Sequence, residues 1–144
     1  MKTTAVFLLA LFALLPLQES GSKSALFCRK WQQVGIKFFD KAFQPVSSQM
    51  AKVMEFRSDG SYQEQMFMLE SKGVWKFNTD SSKYVISLTE FNGQPTKDMS
   101  LDDKKATDLI IKLTVDTLIV GQEKYFGPDK IYGHDDLYYV PINN

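Results

Sequence analysis

The sequence predicts an all-β domain, an eight-stranded antiparallel up-and-down barrel with one or two short helices. Two observations predict it: short runs in which apolar and polar residues alternate, and turn residues that separate these runs. Closing the sheet removes exposed edge strands, and a barrel of this size can hold one small ligand. The expected strands are Arg29–Lys37, Lys52–Arg57, Tyr62–Leu69, Gly73–Phe77, Tyr84–Glu90, Leu109–Thr114, Leu118–Glu123 and Leu137–Ile142.

Turns and helices are predicted from local signals between these strands. Asp59 and Gly60 stand between two alternating runs, and both residue types tolerate the positive φ of a tight hairpin turn. Ser100 with Asp103 resembles a capping box, which predicts a short helix over Leu101–Thr107. The stretch Phe38–Gln49 is expected to hold a second short helix or a lid.

The first residues have the pattern of a signal peptide. Lys2 supplies a positive start, and Ala5–Leu15 is an uninterrupted apolar run, shorter than the roughly 20 residues that a membrane-spanning helix needs. We therefore expect residues 1–22 to be a signal peptide, cleaved near Ser22 or Ser24, and residues 23–144 to form the barrel domain. The mature protein is expected in the periplasm or secreted.

The single cysteine, Cys28, raises the alternative of a lipid anchor. A bacterial lipobox has a small residue before the cysteine and a leucine-like residue earlier, whereas Phe27 and Ala25 stand there. We expect Cys28 to be a buried free thiol, since free cysteine is among the most buried residue types. Lipid anchoring, or any other stable membrane anchor, is not expected.

Composition and charge narrow the class of partner. The chain of 144 residues suits one domain, and 17 basic and 17 acidic side chains give a net charge of zero. Because basic residues are neither in excess nor clustered, nucleic acid is not expected as a partner. A neutral ligand fits this balance better.

The sequence contains no recognisable catalytic signature, and we expect a protein that is not an enzyme, with no cofactor, catalytic residue or metal site. His134, Asp135 and Asp136 are interpreted as a solvated turn before the last strand. A second acidic group is interpreted as a solvated helix and its cap: Asp98, Asp102, Asp103 and Asp108.

Several short motifs follow one another in a familiar order. Trp31 lies on the first strand, Phe56–Tyr62 reads F-x-x-D-G-x-Y, Gly73–Trp75 reads G-x-W, and Leu113–Leu118 reads L-T-x-x-x-L. A tyrosine-rich last strand, with Tyr138 and Tyr139, completes the series. This order resembles the lipocalin-like domain proteins common among Bacteroidetes, over nearly the whole mature chain. The resemblance implies residence in the periplasm or at the cell surface and the binding of a small apolar molecule.

Strand alternation places a set of side chains on one inward face. Met66 and Met68 are adaptable residues suited to irregular apolar ligands, and Glu64 is an unusual carboxylate on this face. The candidate ligand site is Met54, Tyr62, Glu64, Met66, Trp75, Ile86 and Ile111. These residues also fit the packed core of any barrel.

Two functions therefore remain open from the sequence. The first is an exported, non-enzymatic binding module that holds a small hydrophobic or amphipathic molecule in its barrel. The second is a filled barrel that binds or inhibits another protein through its surface and loops. Phe38, Phe39 and Phe43 would then be the exposed contact residues, whereas in the first function they would form a lid.

Overall fold

The computed structural model describes residues 22–100, 104–125 and 131–142. One helix, α1, and one 3₁₀ helix accompany ten strands in these ranges. The helices are α1 (Lys23–Phe27) and the 3₁₀ helix Thr96–Asp98. The strands are β1 (Lys30–Lys37), β2 (Gln44–Pro45), β3 (Val53–Phe56), β4 (Ser61–Met66), β5 (Leu69–Phe77), β6 (Lys83–Phe91), β7 (Gln94–Pro95), β8 (Lys105–Leu113), β9 (Leu118–Tyr125) and β10 (Ile131–Pro141).

Eight of these strands close into an antiparallel barrel. Their order is β10-β9-β8-β6-β5-β4-β3-β1, and β1 also pairs with β10. The closing register runs from Trp31 opposite Pro141 to Lys37 opposite Asp136. The two-residue strands β2 and β7 pair with β1 and β6 outside this circuit. The predicted up-and-down barrel is confirmed.

The β3–β4 hairpin has the predicted turn. Gly60 has a φ of 84°, in the left-handed region that favours glycine. The Asp59 carboxylate accepts a hydrogen bond from the backbone N–H of Ser61 at 2.8 Å, and the Gly60 N–H donates to the carbonyl of Arg57 at 3.0 Å. Local turn chemistry therefore fixes the register of this hairpin.

The helix predicted over Leu101–Thr107 does not extend to Thr107, and no helix is formed between Phe38 and Gln49. Residues 101–103 lie outside the described residues, and Lys105–Thr107 are the first residues of β8, paired with Val85–Ser87 of β6. A short helix is only marginally stable, so pairing with β6 determines the conformation from Lys105 onward. Within Phe38–Gln49 the chain instead turns back along β1 through β2.

The segment from His134 to Asp136 is part of β10, and the prediction of a solvated turn there is wrong. Asp135 is buried, accepts a hydrogen bond from the Phe39 N–H at 3.0 Å and pairs with Lys124 Nζ at 3.0 Å. Side chains alternate along the strand, and the His134 and Asp136 side chains contact each other through Nδ1 and Oδ1.

One end of the barrel is closed by α1, which the sequence did not predict. The Ser22 hydroxyl caps the helix by accepting a hydrogen bond from Ala25 N–H at 3.2 Å. Phe27, at the end of the helix, is fully buried. Its ring lies 4.2–5.2 Å, centroid to centroid, from four rings of β3, β5 and β6: Phe56, Trp75, Phe77 and Tyr84.

Beside this helix, Trp75 and Cys28 are less buried than expected, whereas Trp31 is in the core. Trp31 is fully buried, and its indole N–H donates to the Phe27 carbonyl at 3.1 Å. Trp75 is only half-buried, because it lies at the edge of the aromatic cluster with its indole N–H bonded to the Arg57 carbonyl. Cys28 is a free thiol as expected, but it is half-buried, since it directly follows the surface helix.

Candidate functional site

The candidate site is a cavity in the half of the barrel away from α1. Its volume is about 160 Å³. Apolar side chains of β3 and β6 form one part of the lining, namely Met54, Ile86 and Leu88. Polar and small side chains form the rest: Lys52, Tyr62, Glu64, Ser71, Lys104, Lys105, Ala106, Asp108, Gln122 and Tyr139.

The structure brings together four of the seven predicted site residues, Met54, Tyr62, Glu64 and Ile86. Met66, the last residue of β4, is half-buried and is not among the described residues that line the cavity. Trp75 belongs to the aromatic cluster around Phe27 at the opposite end. Met68, also expected on the inward face, is 81% exposed in the β4–β5 turn.

Ile111 lies on the outer surface, so its assignment to the interior is wrong. It is 44% exposed, whereas its neighbour Ile110 packs against the core. The β8–β9 register shifts between Ile110 and Lys112, which marks a β-bulge. An extra residue at a bulge exchanges the two faces of the strand, and simple alternation fails from that point.

Charged and phenolic groups meet inside the barrel and form what we call the polar cluster: Lys52, Tyr62, Glu64, Tyr84, Asp108 and Tyr139. The Tyr62 hydroxyl donates to Glu64 Oε2, which also lies 3.3 Å from Lys52 Nζ. The Tyr84 hydroxyl donates to Asp108 Oδ2 at 2.8 Å. Each carboxylate is therefore held by a phenol, which reduces the cost of burying it.

Burial and mutual repulsion set the electrostatics of the cluster. Burial, followed by the nearby Glu64 charge, raises the pKa of Tyr62 far above its ordinary value. Burial likewise raises the pKa values of Tyr84 and Tyr139, with the charge of Asp108 adding to both. All three phenols therefore stay protonated at neutral pH and are able to donate hydrogen bonds.

Asp108 is the carboxyl group of the cluster whose pKa is raised. Burial raises its pKa, and the Glu64 charge acts in the same direction, while the hydrogen bond from Tyr84 and the charge of Lys52 act against it. Its interpretation as part of a solvated helix is wrong, because β8 extends through it and turns it inward. Of the same acidic group, Asp98 is in the 3₁₀ helix, and Asp102 and Asp103 lie outside the described residues.

Four members of the polar cluster were not among the predicted site residues: Lys52, Tyr84, Asp108 and Tyr139. Asp108 directly precedes Leu109, the first residue of the predicted strand, whereas the observed strand begins at Lys105. Because Asp108 was placed outside the strand, its inward orientation was not predicted. Tyr139 lies two residues after Leu137 on the last strand, on the same face, and both side chains are buried. Their convergence depends on barrel closure, which strand alternation alone does not specify.

The phenylalanines of the first connection lie outside the cavity. Phe43 packs edge-on against Tyr138 at 5.1 Å between centroids, and Phe39 lies over Gly133. Neither these residues nor Phe38 is among the described residues lining the cavity, so they do not form a lid over it.

The arrangement is suited to binding. A few converging polar groups orient a ligand while apolar side chains contact its body. In the described part of the chain, no three His, Cys, Asp or Glu side chains converge to hold a metal ion. No described helix has the length and apolar character needed to cross a membrane.

Comparison with solved structures finds the same architecture elsewhere. The crystal structure of a lipocalin-like protein from Bacteroides uniformis ATCC 8492 matches with a TM-score of 0.54 and 16% sequence identity. The match covers 81% of this chain and 99% of that chain. No protein-family model matches the chain, and neither does any curated protein. The chain therefore has a lipocalin-like fold, as the order of its motifs indicated.

Proposed function

We propose that this protein is an exported, non-enzymatic binding module that holds one small amphipathic molecule in the cavity of its barrel. The observation that carries the proposal is the mixed apolar and polar lining of that cavity. Apolar side chains of β3 and β6 line it together with polar groups of β4, β8 and β10. Such a lining matches a molecule with one apolar part and one polar end.

The volume limits the size of the ligand. Typical sites for drug-sized ligands measure roughly 300–1,000 Å³, against about 160 Å³ here. A cavity of about 150 Å³ in another protein binds benzene. We therefore propose a ligand of about that size and exclude long-chain lipids as fully enclosed occupants.

Export and the absence of catalysis are further parts of the proposal. Export is supported by Lys2 and the apolar run Ala5–Leu15. Tyr62 and Tyr84 are hydrogen-bonded to Glu64 and Asp108, and the raised pKa values of these phenols are unsuited to proton transfer near neutral pH. A site of this kind orients a ligand more readily than it transforms one.

Filling the cavity tests the proposal. Ala106 lines the cavity at an exposed position of β8, and Thr107, the next residue, is also exposed but points to the opposite face of the strand. Ala106→Leu should lower the affinity for the natural ligand about tenfold or more, since the added side chain takes up volume at the mouth of the cavity. Thr107→Leu should leave affinity unchanged.

Native mass spectrometry measures this effect on protein purified from the cells that produce it. Wild type and Thr107→Leu should carry a small molecule, and Ala106→Leu should have lost most of it. Circular dichroism checks that all three proteins are folded. The proposal is wrong if wild type carries no small molecule and takes up none from a metabolite extract.

A second candidate function is binding of another protein through the loops. The observation that favours it is the β4–β5 turn, where Phe67 has a φ of 55° and is 65% exposed, next to exposed Met68. A bulky residue in that backbone region is unusual and often marks a functional turn. Recovery of a protein partner by wild type, and its loss in Phe67→Asn, would support this function.

A further inference from the structure

The charges of the polar cluster do not balance. Lys52 Nζ pairs with Glu64 at 3.3 Å, whereas the Asp108 carboxylate is hydrogen-bonded to Tyr84 and forms no ion pair with a described residue. The Lys52 charge also reaches Asp108, but a single ammonium group then serves two carboxylates. When both carboxylates are ionised, the interior holds one uncompensated negative charge.

The lysines at the mouth of the cavity do not supply the missing charge. Lys104 directs its Nζ to the carbonyl of Lys97, at 3.0 Å. Lys105 is exposed at the beginning of β8. Neither forms an ion pair with Asp108 in the described structure, and Lys52 is the lysine whose charge acts on the Asp108 carboxyl.

Asp108 also has unused hydrogen-bonding capacity. A carboxylate offers about four acceptor positions, and the hydrogen bond that Asp108 accepts from a described side chain comes from Tyr84. An ammonium group donates three hydrogen bonds and carries the charge that Asp108 lacks.

Tyr139 points independently to a ligand at the same place. Its side chain is 2% exposed and lines the cavity, and its hydroxyl has no hydrogen-bond partner among the described residues. Burial raises the pKa of this hydroxyl, and the charges of Glu64 and Asp108, which line the same cavity, act in the same direction. A hydroxyl of a cavity-lining side chain that has no protein partner is available to a ligand.

We propose that the cavity takes a small organic cation, a primary amine whose ammonium group binds Asp108 and Tyr139. Its apolar part lies against Met54, Ile86 and Leu88. This inference rests on the function proposed above and specifies the class of ligand. It differs from the neutral ligand expected from the net charge of the chain, because whole-chain charge does not report the charge inside the barrel.

Three compounds of similar size share an apolar ring and differ in the charge of their polar group: benzylamine, benzyl alcohol and benzoate. Binding is measured by isothermal titration calorimetry at pH 7 on the mature wild-type protein. Benzylamine should bind about tenfold or more tightly than benzyl alcohol, because a charge-assisted hydrogen bond is stronger than a neutral one. Benzoate should bind most weakly, since its carboxylate is repelled by Glu64 and Asp108.

Two conservative variants identify the residues responsible. Asp108→Asn should remove the preference for benzylamine while leaving benzyl alcohol binding unchanged, because asparagine can still accept the Tyr84 hydrogen bond. Tyr139→Phe should weaken benzylamine binding several-fold. The matched controls are Asp40→Asn and Tyr138→Phe, both on the outer surface, and they should behave as wild type.

The amine assignment is overturned if benzyl alcohol or benzoate binds wild type as tightly as benzylamine, while the binding function itself then stands. It is also overturned if Asp108→Asn keeps the preference. If none of the three compounds binds, this inference is wrong, and native mass spectrometry of the cavity-filling variant still decides the proposed function separately.

Discussion

Replacing Phe27 with alanine should lower the free energy of unfolding by about 3–5 kcal/mol, the usual cost of deleting a buried phenylalanine side chain. Phe27 is fully buried, and its ring contacts aromatic side chains from three strands. The loss would open the end of the barrel that α1 closes. Urea denaturation followed by circular dichroism measures the effect.

Phe38→Ala is the matched control for this prediction. Phe38 is the same residue type but is exposed in the connection after β1, so its replacement should cost less than about 1 kcal/mol. Equal effects for the two variants would show that α1 does not pack into the barrel in solution.

Gly73→Ala should cost about 3 kcal/mol, because the new methyl group would meet backbone and not a movable side chain. A Cβ atom at Gly73 would overlap the carbonyl oxygen of Ser87 and approach Leu88 Cα to 3.0 Å. The glycine lies where the β5–β6 register shifts, so the two strands approach closely there. Thermal and urea unfolding both report the loss.

Gly133→Ala provides the comparison at a second close approach. Its Cβ would overlap the ring of Phe39, a side chain at the surface that can rotate away, so the cost should be about 1 kcal/mol. If Gly73→Ala were no more damaging than Gly133→Ala, the close contact between β5 and β6 would not exist.

Much of the barrel follows from local sequence signals. Asp59 and Gly60 identify the β3–β4 turn, and alternation correctly turns Met54, Tyr62 and Ile86 inward. These signals succeed because turn chemistry and side-chain alternation are properties of a few neighbouring residues.

The errors arise where distant parts of the chain decide the outcome. The capping signal at Ser100 is local and does not show where the predicted helix ends, which is decided by the pairing of Lys105–Thr107 with β6. The bulge that turns Ile111 outward depends on the register with β9. Phe27 is buried only because the barrel it enters is formed by strands far along the chain.

Only part of the candidate site could be predicted, because some of its residues carry a local signal and others are brought together by distant strands. Glu64 stands out in the sequence as a carboxylate among apolar alternating residues, and it lies in the cavity. Asp108 and Tyr139 could not be identified as site residues from the sequence, because barrel closure is what brings β8 and β10 to the same interior. Charge imbalance inside the barrel is therefore a property of the fold and cannot be read from the neutral net charge.

Methyl NMR of methionine-labelled protein tests most directly whether the barrel interior is the ligand site. The protein is compared as purified from its producing cells and after unfolding and refolding without small molecules. The signal of Met54, buried in the cavity lining, should shift between the two states, while those of exposed Met50 and Met68 stay in place. Shifts confined to Met50 and Met68 would contradict the account and place binding on the outer surface.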